Sequence, residues 1–138
     1  MNESAMIPPD LQAAVLCEDV RQELGGGQTL VGVINVVPAP VVPVGIFKLC
    51  LWSRWCGGTG RFAQESMILN CDEDEEPIAR AEVQFQLPNL EAHATNVHVF
   101  GGVKFEKHGL YHVEICLDGN PRLRFPLPVV PVQNPAGN

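Results

Sequence analysis

The chain has 138 residues, of which 46% are hydrophobic and 18% are charged, and its formal net charge is −7. This length suits one domain with its own core, and the composition is that of a globular rather than a disordered chain. The nine lysines and arginines are scattered along the sequence. Phosphate backbones and anionic membranes are bound by clustered cations, so we predict neither nucleic-acid nor membrane binding.

The two ends of the chain predict irregular structure. Residues 1–10 are polar and contain prolines, which is typical of a loose arm, and residues 131–138 read as a C-terminal tail. The N-terminus lacks the basic and long apolar segments of a secretory signal, and no apolar run approaches the ~20 residues that cross a bilayer. We therefore predict a single cytoplasmic domain.

Between these ends, strand-like segments alternate with Gly-, Pro- and Asp-rich breakers. The predicted strands are 12–20, 29–36, 46–55, 61–70, 78–87, 96–105, 109–117 and 122–130. Such regular spacing predicts an all-β fold, a single antiparallel β-sandwich of about eight strands with an immunoglobulin-like or C2-like plan. A helix within 12–24 and a helical turn within 89–96 are the alternatives.

The segment 109–130 predicts a closing hairpin, because apolar residues alternate on both of its strands. These two apolar sets must lie on one side of the sheet, since a slip of one residue reverses every side chain. The expected pairs are Leu117 with Leu123, Ile115 with Phe125 and Val113 with Leu127. The loop would then be 119–121, with Asp118 opposite Arg122, and the stretch would be structural.

Two segments carry a resemblance to a known family. Residues 16–34, LCEDVRQELGGGQTLVGVI, have the order C-E-D-V-R-x-E, a Gly-rich turn and an apolar strand with G-V, and KLCLW follows at 48–52. This pattern resembles a family of small bacterial proteins of unknown function. The segment GLYHVEICLDGNPRLRFPLPV is similar to the last hairpin of such domains. The resemblance implies an all-β fold and a bacterial cytoplasmic origin, and it implies no activity or cofactor.

The cysteines predict no catalytic site and no disulfide. Five are present, an odd number without a CxxC pair, so we expect five free thiols. Cys56 is next to a Gly-rich loop and should be the most exposed. A catalytic Cys56 would need a nearby histidine such as His93, and the sequence does not place the two together. We therefore predict that the protein is not an enzyme.

Two groups of residues are candidates for metal sites. His108 and His112 have the i, i+4 spacing of a helical zinc site, but in a strand they lie ~13 Å apart. His98 would approach them only poorly even if 96–105 and 109–117 formed a hairpin. The acidic loop 72–76 could contribute to a calcium site, although a solvated, self-repelling turn is the simpler interpretation. We predict no metal and no cofactor.

The segment LCLWSRW at 49–55 is the strongest indication of a binding surface. Strand alternation directs Leu49, Leu51 and Trp55 to the core together with Phe47. The predicted interaction face is formed by the opposite side chains, Cys50, Trp52 and Arg54. A large aromatic side chain on an outer face needs a covering segment, such as the proline-rich 37–45, or a partner.

The function predicted from the sequence is a non-enzymatic protein-interaction or assembly module, through a protein partner or self-association. A calcium- or small-ligand-binding domain that uses residues 72–76 is the alternative. An enzyme that uses Cys56 and a histidine comes third.

Overall fold

The computed structural model describes residues 6–132, in which nine strands and no helix occur. The strands are β1 Asp10–Gln22, β2 Gln28–Val33, β3 Val37–Pro38, β4 Val44–Cys56, β5 Gly60–Leu69, β6 Pro77–Leu87, β7 His93–Phe105, β8 Gly109–Leu117 and β9 Asn120–Val130. One sheet has the order β2-β1-β4-β7, and the other has the order β3-β9-β8-β5-β6. The predicted all-β sandwich is confirmed, and the helix within 12–24 is wrong. Residues 89–92 form a single hydrogen-bonded turn, in which the N–H of Ala92 donates to the carbonyl of Asn89 at 3.2 Å, but no helix. The immunoglobulin-like or C2-like plan stays a prediction.

The core lies between the two sheets, where the inward side chains of both meet. Its largest fully buried side chains are those of Trp55, Tyr111 and Phe105. The rings of Phe105 and Tyr111 meet edge to face with centroids 5.0 Å apart, a favourable arrangement for two aromatic quadrupoles. Residues 6–132 contain no helix with the length and apolarity that crossing a membrane requires.

The proline-rich link contains a short strand that the sequence does not predict. Val37 and Pro38 pair in parallel with the end of β9, and the backbone N–H of Ala39 donates to the carbonyl of Val130 at 2.8 Å. Val37 and Ala39 are buried. Proline is tolerated here because β3 is an edge strand.

The closing hairpin is confirmed, but its register differs by two residues from the predicted one. The observed pairs are Ile115 with Leu123, Val113 with Phe125 and Tyr111 with Leu127. The same side chains stay on one face of the sheet, because a shift of two residues preserves the face, although Leu123 near the turn is 37% exposed.

A two-residue turn and a β-bulge together explain the shift: the turn alone would move the register by three residues, and the bulge that leaves Arg122 between the pairs Ile115–Leu123 and Cys116–Pro121 returns one. Leu117 pairs with Asn120, so the loop has only two residues, and both Asp118 and Gly119 have positive φ, as a type I′ turn requires. Asp118 does not face Arg122 as predicted. Its carboxylate accepts a hydrogen bond from the backbone N–H of Ala63 at 2.8 Å, while Arg122 donates to the carbonyl of Pro9.

Strands β7 and β8 do not form a hairpin, although their spacing in the sequence would allow one. They belong to different sheets, and residues 106–108 carry the chain from one sheet to the other. Tyr111 fixes this crossing by donating its hydroxyl to the carbonyl of Lys107 at 2.8 Å. His98 and His112 consequently lie in different sheets.

The placement of Phe47 in the core is wrong. Leu49, Leu51 and Trp55 are buried as predicted, but Phe47 is 89% exposed. The alternation of buried and exposed side chains breaks because of Gly102 on β7, which has a φ of +66°. This glycine lies opposite Phe47, between the two residues that pair with the neighbours of Phe47. Beyond this break Ile46, instead of Phe47, packs against the core.

A buried polar cluster joins the two sheets. Gln64 on β5 is 0% exposed, and its Oε1 accepts hydrogen bonds from Trp55 Nε1 at 2.8 Å and from Asn96 Nδ2 at 2.8 Å. Ser53 Oγ lies 3.1 Å from the same oxygen. The Nε2 of Gln64 donates to Ser66 Oγ at 2.9 Å. One side-chain amide of β5 therefore serves polar groups of β4 and β7.

His98 is a second buried polar group, next to this cluster along β7. It is 6% exposed and lies opposite Leu51, on the core side of the sheet. Both of its ring nitrogens are buried without a hydrogen-bond partner. Burial lowers the pKa of this imidazole, and no charged group contributes to the shift.

Part of the predicted N-terminal arm lies against the domain. Ile7 exchanges two backbone hydrogen bonds of 2.9 Å with Thr59, and Pro9 is buried. Gly58 allows this contact, since a Cβ atom there would be 2.4 Å from the carbonyl oxygen of Ile7. Residues 1–5 of the arm and residues 133–138 of the tail lie outside the described residues.

Candidate functional site

The candidate site is the outer face of the four-stranded sheet around Trp52, which we call the Trp52 face. The register of β1, β4 and β7 places Val15, Trp52 and Val97 side by side in one row. The next row consists of Val33, Cys17, Cys50 and Val99. Two adjacent rows of an outer face are thus apolar, which is unusual for a sheet surface that meets water.

The ring of Trp52 is anchored on this face and half-buried. Its Nε1 donates a hydrogen bond to Gln28 Oε1 at 2.7 Å, and the guanidinium of Arg54 lies 5.5 Å from the ring centroid. Arg54 is itself held by Gln12, whose Oε1 accepts from Nε at 2.8 Å. A cation over the ring face and a bonded indole N–H limit the orientations that the ring can adopt.

The residue that covers part of Trp52 comes from β2, and not from the proline-rich segment 37–45. Gln28 lies at the tip of the β1–β2 hairpin. The β1 residue that pairs with it is seven residues from Val15, which pairs with Trp52. Straight strands would separate these positions by ~23 Å, so the hairpin must bend back across the outer face. Gly32, with φ of +68°, leaves the space that the Glu18 side chain occupies in this bend.

Cys50 does not contribute to an accessible surface, contrary to the prediction. It lies directly opposite Cys17, and both side chains are buried under the bent hairpin. Burial raises the pKa of both thiols, which keeps them protonated at neutral pH. Of the three predicted residues, Trp52 and Arg54 remain on the open face.

Exposed apolar residues extend the face beyond the predicted ones. Val99 and Val33 are 56% and 58% exposed at the two ends of the Cys17–Cys50 row. Phe47 lies farther along β4, beside a groove of 440 Å³ whose lining includes Ile46 and Lys104. None of these residues was predicted from the sequence, although the Gly101–Gly102 pair signals a break in the strand alternation.

An ion pair borders the face on the side of the hairpin. Lys48 Nζ lies 2.8 Å from a carboxylate oxygen of Asp19. This hydrogen bond lowers the pKa of Asp19 and raises that of Lys48, so both groups are charged at neutral pH. The apolar rows therefore have a polar rim, as protein interfaces commonly do.

The fold brings Cys56 and His93 together, which the sequence did not predict. They are directly opposite each other on β4 and β7. The Cys56 thiol, however, has its hydrogen bond to Oε1 of Gln12 at 3.9 Å, a neutral acceptor and not the imidazole. A base that activates a thiol must accept its proton, so this geometry is not that of an activated nucleophile.

The thiols are all free, and their burial predicts the order in which they react. Cys56 and Cys71 are half-buried, whereas Cys17, Cys50 and Cys116 are buried, and burial raises the pKa of Cys116 to about 11. We expect an alkylating reagent to modify Cys56 first, then Cys71, and the other three only after unfolding. Mass spectrometry of timed samples, with a denatured control that takes up five groups, measures this order. Modification of Cys17 as fast as Cys56 would contradict it.

The acidic loop 72–76 is less self-repelling than predicted, because two of its carboxylates have cationic partners. Asp72 forms an ion pair with Lys107, and Glu75 forms one with Arg124. The Arg124 hydrogen bond lowers the pKa of Glu75. These pairs tie the loop to the connection between β7 and β8 and to β9.

The histidines considered for zinc have other positions. The Nε2 of His108 donates to the carbonyl oxygen of Ala39 at 2.7 Å, which holds β3 against the loop before β8. His112 lies on β8 opposite Pro126. Within residues 6–132, no three His, Cys, Asp or Glu side chains are grouped so that they could hold a metal ion.

Comparison with known proteins identifies a family. A family model described as a Family of unknown function (DUF6941) matches residues 12–130, which contain β2 to β9 and all of β1 except its first two residues. No curated protein matches the sequence. The resemblance to a family of unknown function is confirmed, and the bacterial origin stays a prediction. The chain thus belongs to the family of unknown function DUF6941.

Proposed function

We propose that the protein is a non-enzymatic interaction or assembly module that binds a protein partner through the Trp52 face. The observation that carries this proposal is the anchored, half-buried Trp52 among apolar neighbours on an outer sheet face. Tryptophan and arginine are enriched among the residues that dominate binding energy, and here the guanidinium of Arg54 lies over the Trp52 ring, 5.5 Å from its centroid.

The surroundings of Trp52 support the same function. Val99 exposes apolar surface diagonally opposite Trp52, Phe47 does so farther along β4, and the Asp19–Lys48 pair supplies a charged rim. Because the ring is already held by Gln28 and Arg54, little side-chain entropy is lost when a partner covers it.

The alternative functions have less support. A calcium site in the loop 72–76 would have to compete with Lys107 and Arg124 for two of the carboxylates. An enzyme based on Cys56 would need the His93 imidazole to replace Gln12 as the partner of the thiol. Both alternatives therefore require contacts that differ from those of the folded chain.

We expect Trp52→Ala to weaken association through this face by about 30-fold, the effect of losing a hot spot worth about 2 kcal/mol. Sedimentation of the wild-type and variant proteins over a range of concentrations measures this effect on self-association. Thermal unfolding shows whether the variant keeps its fold. Leu110→Ala is the matched control, because Leu110 is an exposed apolar residue of the other sheet.

Self-association through the Trp52 face is ruled out if Trp52→Ala sediments like the wild type. A simultaneous loss of several kcal/mol of stability would then mean that Trp52 serves its own domain, as buried aromatic side chains do. An equal weakening by Leu110→Ala would also contradict the proposal, because the effect would not be specific to the Trp52 face.

A further inference from the structure

The edge of β6 that faces away from β5 has no hydrogen-bonded neighbour among the described strands, although β7 of the other sheet lies alongside part of it and lines a cleft with it, between residues 78–80 and 99–103. β6 is the last strand of the five-stranded sheet, and it pairs with β5 in unbroken register from Ala79 to Leu87. Alternate N–H and C=O groups of β6 therefore point away from β5, and among residues 6–132 no further strand pairs with them. Proline occurs only at Pro77, and the strand has no lysine. Proteins usually block such an edge with prolines, lysines or bulges.

The other long edges have such protection. The free side of β9 contains Pro121, Pro126 and Pro128, which have no N–H to donate, and β3 covers its end. The β7 edge is interrupted by Gly101 and Gly102, where the strand alternation breaks. β2 has only six residues. β6 is thus the edge on which a further strand fits best.

The charges of β6 select the partner. We propose that a second copy of this chain pairs antiparallel with β6, about a two-fold axis at Ala81. In this register Arg80 of each copy lies opposite Glu82 of the other, so two ion pairs form across the axis. Both side chains are on the exposed face of the strand, and the Arg80 side chain is 60% exposed. Arg80 Nε lies 3.2 Å from a carboxylate oxygen of Glu65 in the same chain, so Glu82 of the second copy would share the guanidinium with Glu65. Opposite charges in directly facing positions stabilise strand pairs.

The other face of β6 also complements itself in this register. Ala79 of one copy lies opposite Val83 of the other, and the two Ala81 residues face each other. These residues are partly exposed in the single chain, and Ala79 and Ala81 contact its core from the sheet edge. The pairing would join two five-stranded sheets and make their apolar faces continuous. Such a contact between identical surfaces closes with two-fold symmetry.

Charge reversal tests this register directly. The single variant Glu82→Arg places a second guanidinium opposite Arg80 on both sides of the axis, and we expect dimerisation to weaken by about tenfold or more. The double variant Arg80→Glu with Glu82→Arg restores opposite charges, and we expect it to dimerise like the wild type. Sedimentation equilibrium up to millimolar concentration measures both effects. Glu82 lies opposite Glu65 on β5, so the single variant replaces a like-charge pair and should keep its fold.

Three outcomes would overturn the inference. They are a wild-type chain that stays monomeric, a Glu82→Arg variant that dimerises like the wild type, and a double variant that is no tighter than the single one. A partner strand from another protein would give the first of these results. Trp52 is on the other sheet, so Trp52→Ala and Glu82→Arg change different strands, although Val99 of the Trp52 face and residues 78–80 of β6 line one cleft.

Discussion

Replacing Gln64 by leucine is expected to lower the free energy of unfolding by about 3 kcal/mol, because buried donors lose their acceptor. The Oε1 of Gln64 accepts from Trp55 Nε1 and Asn96 Nδ2, each at 2.8 Å. An unsatisfied buried donor costs about 1–3 kcal/mol. Ser53 loses less, because its hydroxyl also lies 3.2 Å from the carbonyl oxygen of Asn96. Urea unfolding of the wild type and the variant measures the difference.

The matched control for this prediction is Gln84→Leu. Gln84 is on the same sheet, on the exposed side of β6, and its side chain is not part of the buried cluster. We expect this change to alter the free energy of unfolding by less than ~0.5 kcal/mol, as surface substitutions usually do. A loss below ~1 kcal/mol for Gln64→Leu would contradict the prediction, because the leucine or the neighbouring donors would then have found compensating contacts.

Acidification is expected to destabilise the protein through His98. Burial lowers the pKa of His98 in the folded state below that of the unfolded chain. As the pH falls, the His98 imidazole therefore takes up a proton in the unfolded chain at a higher pH than in the folded chain. The free energy of unfolding decreases as a result. Above the unfolded pKa of about 6.5, His98 adds no pH dependence. Below it, we expect the free energy of unfolding to fall by up to about 1.4 kcal/mol per pH unit.

The variant His98→Leu separates this effect from other titrations. It removes the imidazole without leaving a buried polar atom, so we expect its stability between about pH 7.5 and 5.5 to change less than that of the wild type. The lowered pKa values of Asp19 and Glu75 act in a more acidic range, because those carboxylates lose their ion pairs only when they are protonated. His93→Leu, at an exposed position, is the control. Parallel pH profiles for the wild type and His98→Leu would contradict the prediction.

Chain topology decided which predicted neighbours meet. Residues 96–105 and 109–117 are strands separated by three residues, the usual spacing of a hairpin, yet they occupy different sheets. No local pattern distinguishes a hairpin from a crossing between sheets, because both leave each strand half-buried. For the same reason the sequence did not predict that Cys56 and His93 lie opposite each other, because these two residues are far apart in the sequence.

The sequence by itself determined the strands and most of their buried faces. Alternation is a local property: Arg80 and Glu82 must point away from Ala81 in any extended chain, and the structure exposes them. The resemblance to a family of unknown function also follows from residues within short segments, such as 16–34, and the family match confirms it.

Only the tertiary structure decided the composition of the candidate site. Trp52 and Cys50 share an outer face by alternation, but the bent β1–β2 hairpin buries Cys50 and leaves Trp52 half-exposed. Phe47 belongs to the exposed surface because Gly102 on another strand interrupts the pairing. Burial depends on what covers a side chain, and the covering residues come from distant parts of the chain. Strand periodicity therefore predicts the direction of a side chain, and only the packing of the sheets determines whether water reaches it.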